Sequence, residues 1–224
     1  MKIATWNVER PNASSIERNS EIIQALKEVN ADILILTETH SLINPGEQYT
    51  PYSSEPLPNL KDSIAYKPGE NRTTIWSKYP AIRRLETSDS STSVCVSVET
   101  PLGDLNIYGT VIGVLGNREK SFLPDLKNQI LDWRRISGSG NICIAGDFNV
   151  TFSDNYYFTK DGRAQILDCF AYLKINNLTS SVSENIDHIA ISESFLKTSK
   201  TTTRIWNQDK KLSDHIGVCV SLEH

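Results

Sequence analysis

One arrangement occurs twice in this chain and limits its possible folds more than any other feature. An amphipathic helix, a short polar turn, a four-residue apolar strand and then a carboxylate run from 15 to 38, and again from 124 to 149. In the first copy Ile22, Ile23, Leu26 and Val29 make one helical face, and Asn30-Ala31-Asp32 ends the helix. Ile33-Leu34-Ile35-Leu36 then leads into Thr37-Glu38-Thr39-His40. In the second copy Leu126, Ile130 and Trp133 keep helical spacing, and Gly138 to Gly140 release the chain. Ile142-Cys143-Ile144-Ala145 follows and ends in Gly146-Asp147-Phe148-Asn149. Strands without a polar face are covered on both sides. The pattern therefore predicts two α/β halves whose sheets lie against each other, each with an acid at a strand end.

The remaining elements fit between these anchors. Ile3, Thr5 and Asn7 alternate with Ala4, Trp6 and Val8 in a first strand. Ser14 stands three residues before Glu17, the spacing of a capping box, and predicts the start of the first helix. The stretch 41–62, with Pro45-Gly46, Pro51, Pro56 and Pro58, reads as loop. Short strands are expected near 63–66, 73–77, 94–99 and 105–112, spaced closely enough to be antiparallel neighbours. The second helix spans about 124–136 and a third about 164–173, with strands near 186–191, 201–206 and 216–221. No Gly-, Pro- or Ser-rich linker divides the chain, so one domain over 1–221 is expected. Leu222-Glu223-His224 resembles the start of an expression-tag scar and is set outside that domain.

Composition narrows the function classes. With 224 residues and 38% hydrophobic content the chain can bury a substantial core, which excludes disorder as its main state. No apolar run approaches the roughly 20 residues of a spanning helix, and Asn7, Glu9 and Arg10 interrupt any secretory signal core, so a cytoplasmic monomer is expected. Lys and Arg total 23 against 27 Asp and Glu, a net charge of -4. That balance opposes a tight, non-specific DNA clamp but allows a polyanionic substrate if bound divalent cations supply positive charge. Cys95, Cys143, Cys169 and Cys219 form no CxxC pair and read as buried free thiols.

Glu38, Asp147, Asp187 and Asp214 stand at or beside strand ends. An acid closing an apolar strand is costly near the core unless a cation or donor compensates. In an extended Gly146-Asp147-Phe148-Asn149, Asp147 and Asn149 face one side, where the acid could activate a water and the amide contact a phosphate oxygen. The alternative is a turn in which both bond the local backbone. Asp214-His215 and Asp187-His188 are acid–histidine pairs suited to proton transfer or oxyanion stabilisation. Strand alternation points Asp187 and His188 opposite ways, and Asp187 is taken to orient His215 from a neighbouring strand. Asn7, a buried amide on the first strand, either makes one strand-end hydrogen bond or serves the site.

Taken in order, Thr5-Trp6-Asn7-Val8, Leu36-Thr37-Glu38, Gly146-Asp147-Phe148-Asn149, Ile186-Asp187-His188-Ile189 and Ser213-Asp214-His215 resemble the endonuclease/exonuclease/phosphatase superfamily, the DNase I-like phosphoesterases. The resemblance runs from Asn7 to His215. It implies a four-layered α/β sandwich, two mainly antiparallel sheets face to face with helices outside. It further implies that Asn7, Glu38 and Asp214 serve a divalent metal, Mg²⁺ with Mn²⁺ as a substitute. Asp147 and Asn149 would position the nucleophilic water and transition state, and His215, supported by Asp187, would contact the scissile phosphate. Many members carry a His or Tyr on a middle strand that also meets the phosphate. Here Tyr108 and Thr110 are the only candidates for that role.

The expected activity is Mg²⁺-dependent hydrolysis of phosphodiesters, first of all in DNA or RNA. A phosphatase or phosphodiesterase of a small phosphorylated metabolite or lipid headgroup is the alternative, favoured by the acidic balance. A catalytically silent binding module is the rival from another class. Arg83-Arg84, Arg134-Arg135 and Lys210-Lys211 are either a local basic rim or solvated charge.

Overall fold

The computed structural model describes residues 1–197 and 199–223. The chain runs β1 (Lys2–Asn7), α1 (Ile16–Val29), β2 (Ile33–His40), β3 (Thr50–Ser53), β4 (Leu60–Lys61), β5 (Ile64–Ala65), β6 (Glu70–Ser77), β7 (Ala81–Leu85), β8 (Val94–Thr100) and β9 (Gly103–Val111). It continues through α2 (Phe122–Ser137), β10 (Ile142–Asp147), α3 (Lys160–Leu173), β11 (Ile175–Asn177), β12 (Asp187–Ser192), α4 (Glu193–Leu196), β13 (Lys200–Trp206) and β14 (Gly217–Glu223).

Two six-stranded sheets result, in the orders β13-β14-β1-β2-β6-β3 and β11-β12-β10-β9-β8-β7. Strand alternation builds the layers. Ile3, Ile33 and Ile35 of the first sheet meet Val96, Ile107, Cys143 and Ile189 of the second in the central core. The opposite face of the first sheet, with Ala4, Trp6, Leu34 and Leu36, covers Ile22, Leu26 and Val29 of α1. The opposite face of the second, with Tyr108, Ile144 and Phe148, covers Trp133 of α2 and Phe170 of α3. The four-layered α/β sandwich expected from the sequence is the fold of this protein.

The repeated pattern has a topological meaning. β1 and β2 pair in parallel across α1, and β9 and β10 pair in parallel across α2. Each sheet is otherwise antiparallel, so each holds one βαβ unit at its centre. Ligand sites in such units form at the carboxyl ends of the parallel strands. Asn7, Glu38 and Asp147 lie at or near those ends.

Several local expectations are corrected. Ser14 bonds Asn12 and not the helix, and Ser15 precedes α1 without a side-chain cap, so the capping box does not form. Within the presumed loop 41–62, β3 joins the sheet edge against β6 despite Pro51, which an edge strand tolerates. β7, β11 and α4 are short elements with no clear periodicity in the sequence. Leu222, set aside as a tag remnant, continues β14 opposite Thr201 and is 2% exposed in the central core. Glu223 pairs with Lys200, and His224 lies outside the described residues. All four cysteines are buried and free.

Candidate active site

Topology alone brings the two βαβ ends together. β12 runs antiparallel to β10 with Asp147 opposite Asp187, so two carboxylates sit side by side on neighbouring strands. β14 runs antiparallel to β1, and the turn before it delivers Ser213, Asp214 and His215 beside Asn7. Gly146 makes the approach possible. Its φ is +136°, and a Cβ there would overlap the Thr110 carbonyl oxygen of β9.

A continuous set of hydrogen bonds fixes the side chains. Asn7 Nδ2 donates to Asp147 Oδ2 at 3.1 Å, and the Asn7 backbone N–H donates to Asp187 Oδ1 at 3.0 Å. One residue of the first sheet thus holds both acids of the second. His215 Nδ1 donates to Asp187 Oδ2 at 2.6 Å, leaving Nε2 for the cleft. The His215 carbonyl accepts from Trp6 Nε1 at 3.0 Å and Asn207 Nδ2 at 2.7 Å, which anchors the backbone that carries the ring. Asp187 therefore orients His215, although from the facing sheet and not from a neighbouring strand. His188 points the other way into the α2–α3 layer, where Nε2 donates to the Val150 carbonyl at 2.9 Å.

Asp147 and Asn149 are brought together by a turn, not by extended alternation. Asn149 has φ +52°, and its backbone N–H donates to Asp147 Oδ1 at 2.8 Å. Its Nδ2 donates to the carbonyls of Ile112 at 3.0 Å and Gly113 at 3.3 Å. That amide is engaged in tying the loop after β9 to the acid, so the expected donation to a phosphate oxygen is not its arrangement here. Tyr108 is also removed from the cleft. It faces α2, where its hydroxyl donates to Asp132 Oδ2 at 3.1 Å. Thr110 is likewise enclosed, bonded to Ser93 and Gln129. Asp214 stands on the rim, its side chain 72% exposed and Oδ1 3.7 Å from His215 Nε2.

Electrostatics follow from this burial. Burial raises the Glu38 carboxyl above its ordinary range, against the lowering effects of the Asn7 amide and His215. Asp147 is raised too, first by burial, with Asp187 and Glu38 adding like-charge repulsion. Burial alone would lower the His215 imidazole, but Asp187 and Asp147 outweigh it and lift it to about 10. At neutral pH the ring is a cation among acids. Asp147, Asp187 and His215 each offer an atom within 4.8 Å of the others.

These residues line a cleft of about 320 Å³ whose other walls the sequence did not announce as site residues. Val114 and Leu115 come from the loop after β9, and Tyr156 and Tyr157 from the loop after β10. Lys210 reaches in from the turn before β14, its Nζ 3.1 Å from the Tyr156 hydroxyl. Of the three basic pairs, only Lys210 lines this cleft; Arg135 pairs with Asp132, and Lys211 with Asp209.

The profile of the Endonuclease/Exonuclease/phosphatase family matches residues 4–215. The chain belongs to that family. As a member of the Endonuclease/Exonuclease/phosphatase family it is a phosphoester hydrolase, and the cleft lies within the matched span. Structurally similar proteins include an endonuclease/exonuclease/phosphatase family protein from Leptotrichia buccalis C-1013-b, 14% identical with a TM-score of 0.67 over 100% of both chains. AP endonuclease LMAP from Leishmania major is 15% identical, with a TM-score of 0.70 over 100% of this chain and 87% of that one. TDP2 from C. elegans is 14% identical, with a TM-score of 0.69 over 100% of this chain and 75% of its own. At such identities the likeness is one of fold. No curated protein sequence matches the chain. Among the described residues no helix is long and apolar enough to cross a membrane.

Proposed function

We propose that this protein hydrolyses phosphodiester bonds in nucleic acid with the help of a divalent cation, Mg²⁺ in the first instance. The observation that carries the reading is the joining of Asn7, Asp147, Asp187 and His215 into one hydrogen-bonded cluster across both sheets, with Glu38 beside it. The presence of an AP endonuclease among the similar folds supports nucleic acid as substrate.

The donor set fits a hard cation. Asn7, Glu38 and Asp214 offer oxygen ligands, and among the buried acids Asp147 faces His215 while Glu38 faces both His215 and Arg10. When bound, the cation would supply Lewis-acid neutralisation of phosphate charge. The chain's own groups do the rest. Protonated His215 donates from Nε2 to a phosphate oxygen and stabilises the negative charge of the transition state. Asp187 holds that ring at one orientation and keeps it charged. Asp147, gripped by Asn7 and Asn149, accepts a proton from the attacking water and aligns it for in-line displacement. Asn149 is a positioning residue that fixes Asp147 and the loop carrying Val114.

Incubation with plasmid, single-stranded DNA, RNA and a panel of phosphomonoesters, with Mg²⁺ or with EDTA, tests this reading. Cleavage of nucleic acid that EDTA abolishes is expected. A second reading, hydrolysis of a small phosphorylated metabolite or lipid headgroup, is favoured by the excess of acids around the cleft. Turnover of monoesters alone would select it.

A further inference from the structure

Lys210 takes no part in holding the acids or the imidazole of the reacting centre, yet its side chain lines the same cleft. Five acids, Glu38, Asp147, Glu184, Asp187 and Asp214, stand there against two cationic side chains, His215 and Lys210. A phosphate ester entering the cleft is itself an anion, so each cation on its path weighs heavily. His215 is committed to Asp187 through Nδ1 and faces the reacting centre through Nε2. Lys210 forms no ion pair among the described residues, whereas its neighbour Lys211 is exposed and bonded to Asp209.

The placement of Lys210 is built by the turn before β14. Its φ is +52°, in the left-handed region that glycine or asparagine adopts at lower cost than lysine. Its backbone N–H donates to the Asn207 carbonyl at 3.0 Å. The Asn207 side chain clamps the rest of the turn, donating to the Ser213 carbonyl at 2.8 Å and accepting from the Leu212 N–H at 3.0 Å. The same amide holds the His215 carbonyl, so one residue fixes both cations on a single short turn. At the far end Lys210 Nζ donates to the Tyr156 hydroxyl and lies 4.8 Å from that ring's centroid. Tyr156 is anchored by Asp154, whose Oδ1 accepts its backbone N–H at 2.9 Å. Two ammonium N–H groups and the phenolic O–H then have no acceptor among the described residues. Such a set of donors, one of them charged, suits the non-bridging oxygens of a phosphate.

Depth separates this pair from the reacting centre. Asp187 is 1% exposed and the His215 ring is largely covered, whereas Tyr156 is 55% exposed at the mouth. A phosphate seated on His215 at the floor leaves Lys210 and Tyr156 to a different anion at the rim. On a nucleic-acid strand the neighbouring phosphate is that anion.

We propose that Lys210 and the Tyr156 hydroxyl form a second phosphate subsite, which binds a non-scissile phosphate of the strand being cut. The assignment rests on the phosphodiesterase reading and deepens it: the preferred substrate carries more than one phosphate, as an oligonucleotide does and a simple monoester does not. Asn207 is the positioning residue of this subsite.

A methylphosphonate scan tests it. The full chain with Mg²⁺ cleaves single-stranded oligonucleotides in which an uncharged methylphosphonate replaces one non-scissile phosphate at a time. One position is expected to lower kcat/KM roughly tenfold, the loss of one hydrogen bond to a charged group. In Lys210→Met the ratio of all-phosphate to substituted substrate at that position should fall towards one, and Lys210→Arg should keep most of it. Tyr156→Phe, which retains the ring and loses the hydroxyl, should give an intermediate ratio. A ratio of one at every position in the wild type, or a ratio that Lys210→Met leaves at its wild-type value, overturns the subsite while leaving the phosphodiesterase reading standing. If no diester is cleaved the functional reading falls, and metal-free protein titrated with thymidine 3′,5′-bisphosphate and followed by NMR still decides the subsite. Saturable shifts of the backbone amides at positions 156 and 210, lost in Lys210→Met, are expected; no shifts, or shifts unchanged in that variant, refute it.

Discussion

His188 should make this protein sensitive to mild acid even though it takes no part in the reaction. The ring is fully enclosed, with the centroids of Phe148 and Phe152 at 5.4 and 4.7 Å. Nε2–H is used on the Val150 carbonyl, so Nδ1 must accept. It faces Thr179 Oγ1 at 3.1 Å and Asn185 Nδ2 at 3.4 Å, and the Asn185 amide can only donate. A second proton on Nδ1 would therefore oppose a donor inside an aromatic pocket, and burial lowers the ring from 6.5 to about 4. The sign follows directly. Below about 6.5 the unfolded chain takes up a proton that the folded chain refuses, so stability is complete above that pH and is lost as pH falls towards 4. Each tenfold gap in proton affinity is worth about 1.4 kcal/mol, so the full loss is about 3 kcal/mol, of which about 2 kcal/mol is gone by pH 5. Urea unfolding at pH 7, 6, 5 and 4.5 measures it, with His188→Gln as the reference that cannot titrate. The variant starts less stable at pH 7, and the difference should shrink by the stated amount by pH 5. Parallel curves for the two proteins over that range would refute the argument.

Other outcomes follow from the cluster and its surroundings. Asp147→Ala and His215→Ala should each lower kcat by orders of magnitude while circular dichroism stays unchanged; unaltered rates in both would remove the assigned roles. Burial raises the Asp147 base to about 7 and the two acids lift His215 to about 10, so activity should fall on the acid side as Asp147 protonates and on the alkaline side as pH rises through about 10. Asp187→Asn should move that alkaline limb to lower pH, which a pH–rate profile reads. Thr39→Val removes an unpaired buried hydroxyl and should raise the urea midpoint by about 1 kcal/mol in equivalent stability. Gly146→Ala forces a side chain into the Thr110 carbonyl at positive φ and should cost about 3 kcal/mol or more.

Much of the architecture was legible because it depends on local periodicity. Alternation in β1 assigned Ile3, Thr5 and Asn7 to one face, and the structure puts them between the sheets. The doubled helix–strand–acid pattern announced two α/β halves with an acid at each strand end, and the structure makes each a βαβ unit. The misses share another cause. β3 and β7 are edge strands whose side chains are largely exposed, so hydrophobic patterning barely marks them. Burial of Leu222 at the chain end is set by the neighbouring strands Lys2–Asn7 and Lys200–Trp206, not by the last three residues themselves.

The same division separates what the chain's order determines from what its folding decides. Residue type and spacing were enough to select Asn7, Glu38, Asp147, Asp187 and His215 as chemically expensive positions. Only the sandwich decided that Asp187 reaches His215 across the sheets, that Asn149 expends its amide on the loop after β9, and that Tyr108 turns towards α2. It alone also opened a cavity beside Glu38. Spacing along a strand fixes which face a side chain occupies, whereas distances between strands depend on register and layer contact, which are properties of the whole chain.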